Sequence, residues 1–183
     1  MPYILCPVSS YIYFGDIMRS LKSYILTGII LVSALGTFLH FAYDLSDNNF
    51  LVGLFTPINE SIWEHTKLIF FPILIYGLFL SLKQSDVYPD IYSVTILGAL
   101  VGVFLIITTF YTYSGIIGNH FAFVDISIFY VSVITAFYVT YKTALSSNIK
   151  KWSTTLTLLS ILMIGLYINF TLYPPNIPLF IAP

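Results

Sequence analysis

The chain predicts an all-α fold, a polytopic integral membrane bundle of about five transmembrane helices running N-in and C-out, and three observations carry that prediction. Only 8% of residues are charged while 58% are hydrophobic, against about 25% charged residues in soluble domains. Mean hydropathy is +0.91. Apolar runs with at most one charged residue recur along the chain, most of them near the ~20 residues that a spanning helix needs.

The first 17 residues read as an N-terminal extension. Met1 to Gly15 lacks a basic start, and no small-residue pattern precedes Asp16, so the segment does not read as a cleavable signal. Met18-Arg19-Ser20-Leu21-Lys22 has the look of a start for an N-in membrane protein, which leaves residues 1–17 as either native or a product of an upstream start. Cys6 is the only cysteine, so an internal disulfide or a cysteine-based zinc site is excluded and no redox compartment is implied.

Residues 18–173 read as one bundle domain. Its runs are Ser23 to Tyr43, Leu68 to Leu82, Ile91 to Tyr113, Phe121 to Tyr141 and Trp152 to Tyr173. The second is short, but helix is expected to extend back to Pro57, with proline at the first helical position and Thr56 as N-cap. Gly98 and Gly102 form a Gly-x-x-x-Gly pair suited to close helix approach, either internal or in a homodimer seam. Residues 174–183 read as a proline-rich extracytoplasmic tail that lies over the outer surface as a lid.

Orientation follows from the basic residues, which are retained on the cytoplasmic side of short loops. Arg19, Lys22, Lys83, Lys142, Lys150 and Lys151 fall on one side, and Lys67 is the exception. All three histidines then lie near the outer face, with Asp44, Asp47, Glu60, Glu64 and Asp125. His40 and Asp44 are spaced to share a helix face, as are Glu60 and Glu64, while His65 turns to the side of Ser61. Asp125 sits inside the fourth run, where an ionised carboxylate costs roughly 2.5–3.5 kcal/mol unless partnered. Tyr111, Tyr113 and Asn169 are at similar depth.

Imidazole and carboxylate at helical spacing suit a divalent metal such as zinc, iron or manganese, which with an open position activates water. No His-Glu-x-x-His motif is present, so the site must be assembled across helices. The leading reading is a metal-dependent intramembrane hydrolase of lipid-like substrates, with His40, Asp44, His65 and Asp125 as candidate metal ligands. Glu60 and Glu64 are the candidate catalytic bases. Two alternatives stand beside it: a carrier of a small solute, ion or proton lined by Glu60, Glu64 and Asp125, and a non-catalytic component docking a partner through Trp63.

The bland readings are equally specific. Glu60, Glu64 and Lys67 make a solvated ion-pair face, His40 is a satisfied interior histidine, His120 is a loop residue, and Trp63 and Trp152 are interfacial anchors. The sequons at Asn59 and Asn169 are accidental. A single arginine, with no phosphate-binding glycine loop and no Gly-x-Ser-x-Gly elbow, argues against nucleotide-driven work and nucleic-acid binding.

The segments Phe38-Leu39-His40-Phe41-Ala42-Tyr43-Asp44, Pro57-Ile58-Asn59-Glu60-Ser61-Ile62-Trp63-Glu64-His65-Thr66-Lys67, Asp125-Ile126 and Tyr173-Pro174-Pro175 to Phe180 resemble one family. It is the uncharacterised bacterial membrane family designated domain of unknown function 6512. The resemblance covers nearly all of the chain from Met18 and gives a class rather than a reaction. It implies a multi-pass protein of the plasma membrane, mostly of Gram-positive bacteria. Members continue past the Pro-Pro element with an acidic residue, whereas this chain reads Ile181-Ala182-Pro183, which puts a role for that region in doubt.

Overall fold

A computed structural model describes residues 7–146 and 149–183, with side chains from Leu21 onward. Cys6 lies outside them. The described backbone is helical, with no strand. Helix α1 spans Pro7–Leu45, a short α2 spans Phe50–Gly53, and the long helices α3 Ile62–Gln84, α4 Ile91–Ile117, α5 Ala122–Ala144 and α6 Ser153–Leu172 follow. Backbone of the expected extension therefore runs from Pro7 as continuous helix into the first span.

Among the described residues, five helical segments are long and apolar enough to cross a membrane, Leu21–Leu45, Ile62–Gln84, Ile91–Ile117, Ala122–Ala144 and Ile149–Leu172. The chain is accordingly a multi-pass membrane protein. Burial ranks the spans: 67% of the apolar window of α3 and 56% of that of α4 are buried, against 17% for the last span. Helices α3 and α4 form the centre, and α1, α5 and α6 surround them. The outer helices present large apolar side chains such as Leu26, Ile30, Ile126, Leu158 and Ile161 outward, as contact with lipid requires.

Glycine sets two of the closest helix approaches. A Cβ at Gly98 would collide with the Ala136 carbonyl and the Thr140 hydroxyl, so this face packs on α5 within one chain. Gly102 likewise meets Ile69 and Ala136, and the Gly-x-x-x-Gly pair serves internal packing. Gly36 has a different partner. Pro72 lies inside α3 and cannot supply the N–H that the Leu68 carbonyl would receive. A Cβ on Gly36 would stand 2.6 Å from that same Leu68 oxygen. The α1 backbone thus covers a carbonyl that the proline leaves open, and its approach brings the ends of α1 and α3 together.

The start of α3 differs from the expectation. The helix begins at Ile62, with Ser61 as N-cap accepting from the Glu64 N–H. Ser61-x-x-Glu64 is a capping-box spacing, but the Glu64 carboxylate accepts from the Ile58 N–H at 3.0 Å, and the Ser61 N–H is taken by the Asn59 side chain. Residues 54–60 are loop and turn, so Glu60 and Glu64 do not share a helical face. Residues 173–183 fold back on α3 through a 3-10 turn, Pro178–Phe180, whose buried Phe180 stacks on Trp63 and Phe170.

Candidate functional site

Consecutive spans alternate in direction, so the C-terminal end of α1, the loop into α3, the α4–α5 connection and the tail after α6 share one end of the bundle. Three polar groups form there. The first joins His40, Glu60 and His65. His40 Nε2 lies 3.1 Å from His65 Nε2, and Glu60 Oε2 lies 3.2 Å from His65 Nε2 and 3.7 Å from His40 Nε2. Among the described residues these are the cluster whose ligand atoms lie within 4.8 Å of one another.

Local folding explains the orientation of His65. Ser61 offers the first intrahelical carbonyl of α3, which accepts both the His65 backbone N–H at 3.1 Å and its Nδ1 at 2.9 Å. That bond places the ring proton on Nδ1, so a neutral His65 presents the lone pair of Nε2 to the cluster. A backbone carbonyl on the distal nitrogen is the usual support of a metal-bound imidazole. His40 Nδ1 is buried without a hydrogen-bond partner among the described residues.

The second group is the buried pair Glu64–Lys67, 2.7 Å apart with side chains 3% and 0% exposed. The Gly53 carbonyl at 2.9 Å, the Thr56 carbonyl at 3.2 Å and the Thr171 hydroxyl at 2.6 Å share the remaining two N–H groups of Lys67 Nζ. Thr171 Oγ1 stands 3.2 Å from Glu64 Oε1 and 2.7 Å from the Tyr167 carbonyl. The solvated ion-pair face is therefore corrected: Lys67 is a core ammonium clamping the 53–58 loop and α6 onto α3. Its reason is that the helix starts late, which turns Glu64 and Lys67 inward and leaves Glu60 on the loop they hold.

The third group is Asp125, which accepts from the Tyr113 hydroxyl and from His120 Nδ1 at 3.0 Å. Tyr113 in turn accepts the Phe121 N–H at 3.1 Å. Asp125 sits in the first turn of α5. Its bond to Nδ1 leaves the Nε2 lone pair of a neutral His120 free.

A cavity of ≈ 610 Å³ joins the first and third groups, lined by His40, Glu60, His65, His120 and Asp125 on its polar side. Leu68, Ile106, Phe110, Ile128 and Phe129 supply apolar wall, and Pro183 of the tail also reaches it. Two of the sequence candidates stand elsewhere. Asp44 is exposed on α1, one turn beyond His40 and outside the ligand cluster. Glu64 is committed to Lys67, Thr171 and the Ile58 N–H and does not line the cavity.

Two further readings change. Trp63 is 6% exposed, stacked on Tyr167, Phe170 and Phe180, so it is a core aromatic rather than an interfacial anchor or a free docking residue. Asn169 is exposed, and α6 contributes Tyr167 and Thr171 instead, residues whose hydroxyls carry no distinguishing sequence pattern. Tyr167 is fully buried with its OH 2.7 Å from the Thr66 hydroxyl.

A family model described as Family of unknown function (DUF6512) matches residues 15–182. No curated protein and no solved structure matches the chain.

Proposed function

The chain belongs to the family of unknown function DUF6512, and from the geometry of its polar end we propose a metal-dependent hydrolase acting on an amphipathic substrate. The carrying observation is the triangle of His40 Nε2, His65 Nε2 and Glu60 Oε2, with edges of 3.1, 3.2 and 3.7 Å. Ligand bonds of about 2.0–2.1 Å in a tetrahedral zinc site put ligand atoms about 3.3–3.4 Å apart, so a cation fits with little movement. Two imidazoles and one carboxylate also suit iron(II). The fourth position would face the cavity.

A bound divalent cation would lower the pKa of a coordinated water to about 7. His120 is the proton acceptor in this reading, because Asp125 holds its Nδ1 and leaves Nε2 free. Asp125 is a positioning residue and not a ligand, and Glu60 is a ligand rather than the base. Apolar wall beyond the polar residues suits a substrate with a hydrocarbon part. The lysine and arginine asymmetry supports an extracytoplasmic position for this end, and in this reading the membrane is the plasma membrane of a bacterium.

Elemental analysis of gently purified, chelator-free protein tests the centre. Wild type should carry stoichiometric divalent metal, with His40→Ala and His65→Ala both losing it and His120→Ala retaining it. Metal-free wild type would overturn the proposal and favour a carrier using the same carboxylates.

A further inference from the structure

A second, shallow groove lies on the outer face of the bundle where α1 meets α5. It has a volume of ≈ 570 Å³ and is lined by Ile29, Ile30, Ser33, Ala34, Thr37, Tyr130 and Ile134. Thr37 and Tyr130 line both this groove and the polar cavity, and their hydroxyls meet at 3.1 Å across the seam. The two spaces therefore adjoin along the Thr37–Tyr130 pair, with the polar cluster on one side of it and Ile29, Ile30 and Ile134 on the other.

We propose that the groove between α1 and α5 holds the acyl chain of a membrane lipid whose polar head lies at the His40–Glu60–His65 cluster. This deepens the hydrolase reading and rests on it, since the head is the part that would react. Three observations select a lipid chain. Both walls belong to membrane-spanning helices, so hydrocarbon is the medium that the groove faces. Small side chains, Ser33 and Ala34, are part of its lining, and the Thr37 hydroxyl donates to the Ser33 carbonyl at 2.8 Å, so it brings no unpaired donor to a hydrocarbon chain. Its length also fits: from His40 down to Ile30 the helix descends about 15 Å, half of the ~30 Å hydrocarbon core. A chain entering at the headgroup level would end near the midplane, as an acyl chain of one leaflet does. A substrate of this class reaches the site sideways from its own leaflet without leaving the bilayer.

The test uses the full-length protein in nanodiscs containing phosphatidylglycerol with a photoreactive diazirine on the acyl chain. Cross-links are mapped by mass spectrometry, and metal content is measured on the same samples. Labelling should concentrate at Ile30, Ala34 and Ile134, at least fivefold above the equally lipid-facing Leu158, Ile161 and Leu162 of α6. Ala34→Trp, which fills the groove, should abolish that excess while keeping wild-type metal. His65→Ala should lose the metal and keep the excess labelling. Uniform labelling of both faces, or labelling indifferent to Ala34→Trp, overturns the groove assignment whatever the metal content. Metal-free wild type with an intact labelling excess overturns the hydrolase reading instead, so the two failures are distinguishable.

Discussion

Replacing Lys67 with methionine is the sharpest test of how this bundle holds its site. The side chain keeps its length and loses its charge, which strands the Glu64 carboxylate in a place where it is 3% exposed. It also removes the donor to the Gly53 and Thr56 carbonyls and to Thr171. Breaking a buried pair from one side costs about 3–5 kcal/mol. At about 2–4 °C per kcal/mol for a chain of this size, Lys67→Met should lower the melting temperature by about 6–20 °C. Glu64→Gln combined with Lys67→Met leaves no uncompensated charge and preserves an acceptor for the Ile58 N–H. Its loss should be smaller than the sum of the two single losses by about 0.5–3 kcal/mol. Intrinsic tryptophan fluorescence during heating of detergent-purified protein is a suitable assay, since Trp63 lies on the same helix as the pair. The clamp also shapes the loop bearing Glu60, so metal affinity should fall in Lys67→Met and partly return in the double variant. A melting temperature within about 2 °C of wild type, or strictly additive losses, would refute the reasoning.

Other consequences are simpler to measure. Gly36→Val pushes α1 away from the Leu68 carbonyl; it should cost about 1–3 kcal/mol and weaken metal retention, because His40 lies one turn further along α1. Trp63→Ala empties an aromatic cluster of α3, α6 and the tail and should cost about 3–5 kcal/mol, and limited proteolysis should then cut near Pro178–Phe180, the 3-10 turn that packs there. Asp44→Ala should leave metal content unchanged, since the residue is exposed and outside the ligand cluster.

The class of the fold and the neighbourhood of the site are legible in the residues alone. Long apolar runs with few charges leave few alternatives to helices whose backbone groups are satisfied internally, and alternation of spans brings His40, Glu60, His65, His120 and Asp125 to one end. The side of α3 that carries His65 was also legible, because i and i+4 face together. Which polar residues become partners depends on how the helices pack. Glu60 and Glu64 have the spacing of a helical pair, yet the helix starts at Ile62, so one becomes a loop residue facing two imidazoles and the other a buried counterion. Ser61-x-x-Glu64 was the available clue to that start. Lys67 looked solvated because a lone lysine in a short polar block normally is; its burial depends on Gly53, Thr56 and Thr171, acceptors brought from elsewhere in the chain. The meeting of His40 with His65 depends on Gly36 packing against a carbonyl opened by Pro72. Such pairings join residues that are far apart in sequence, and helical periodicity describes one segment at a time, so it cannot reach them.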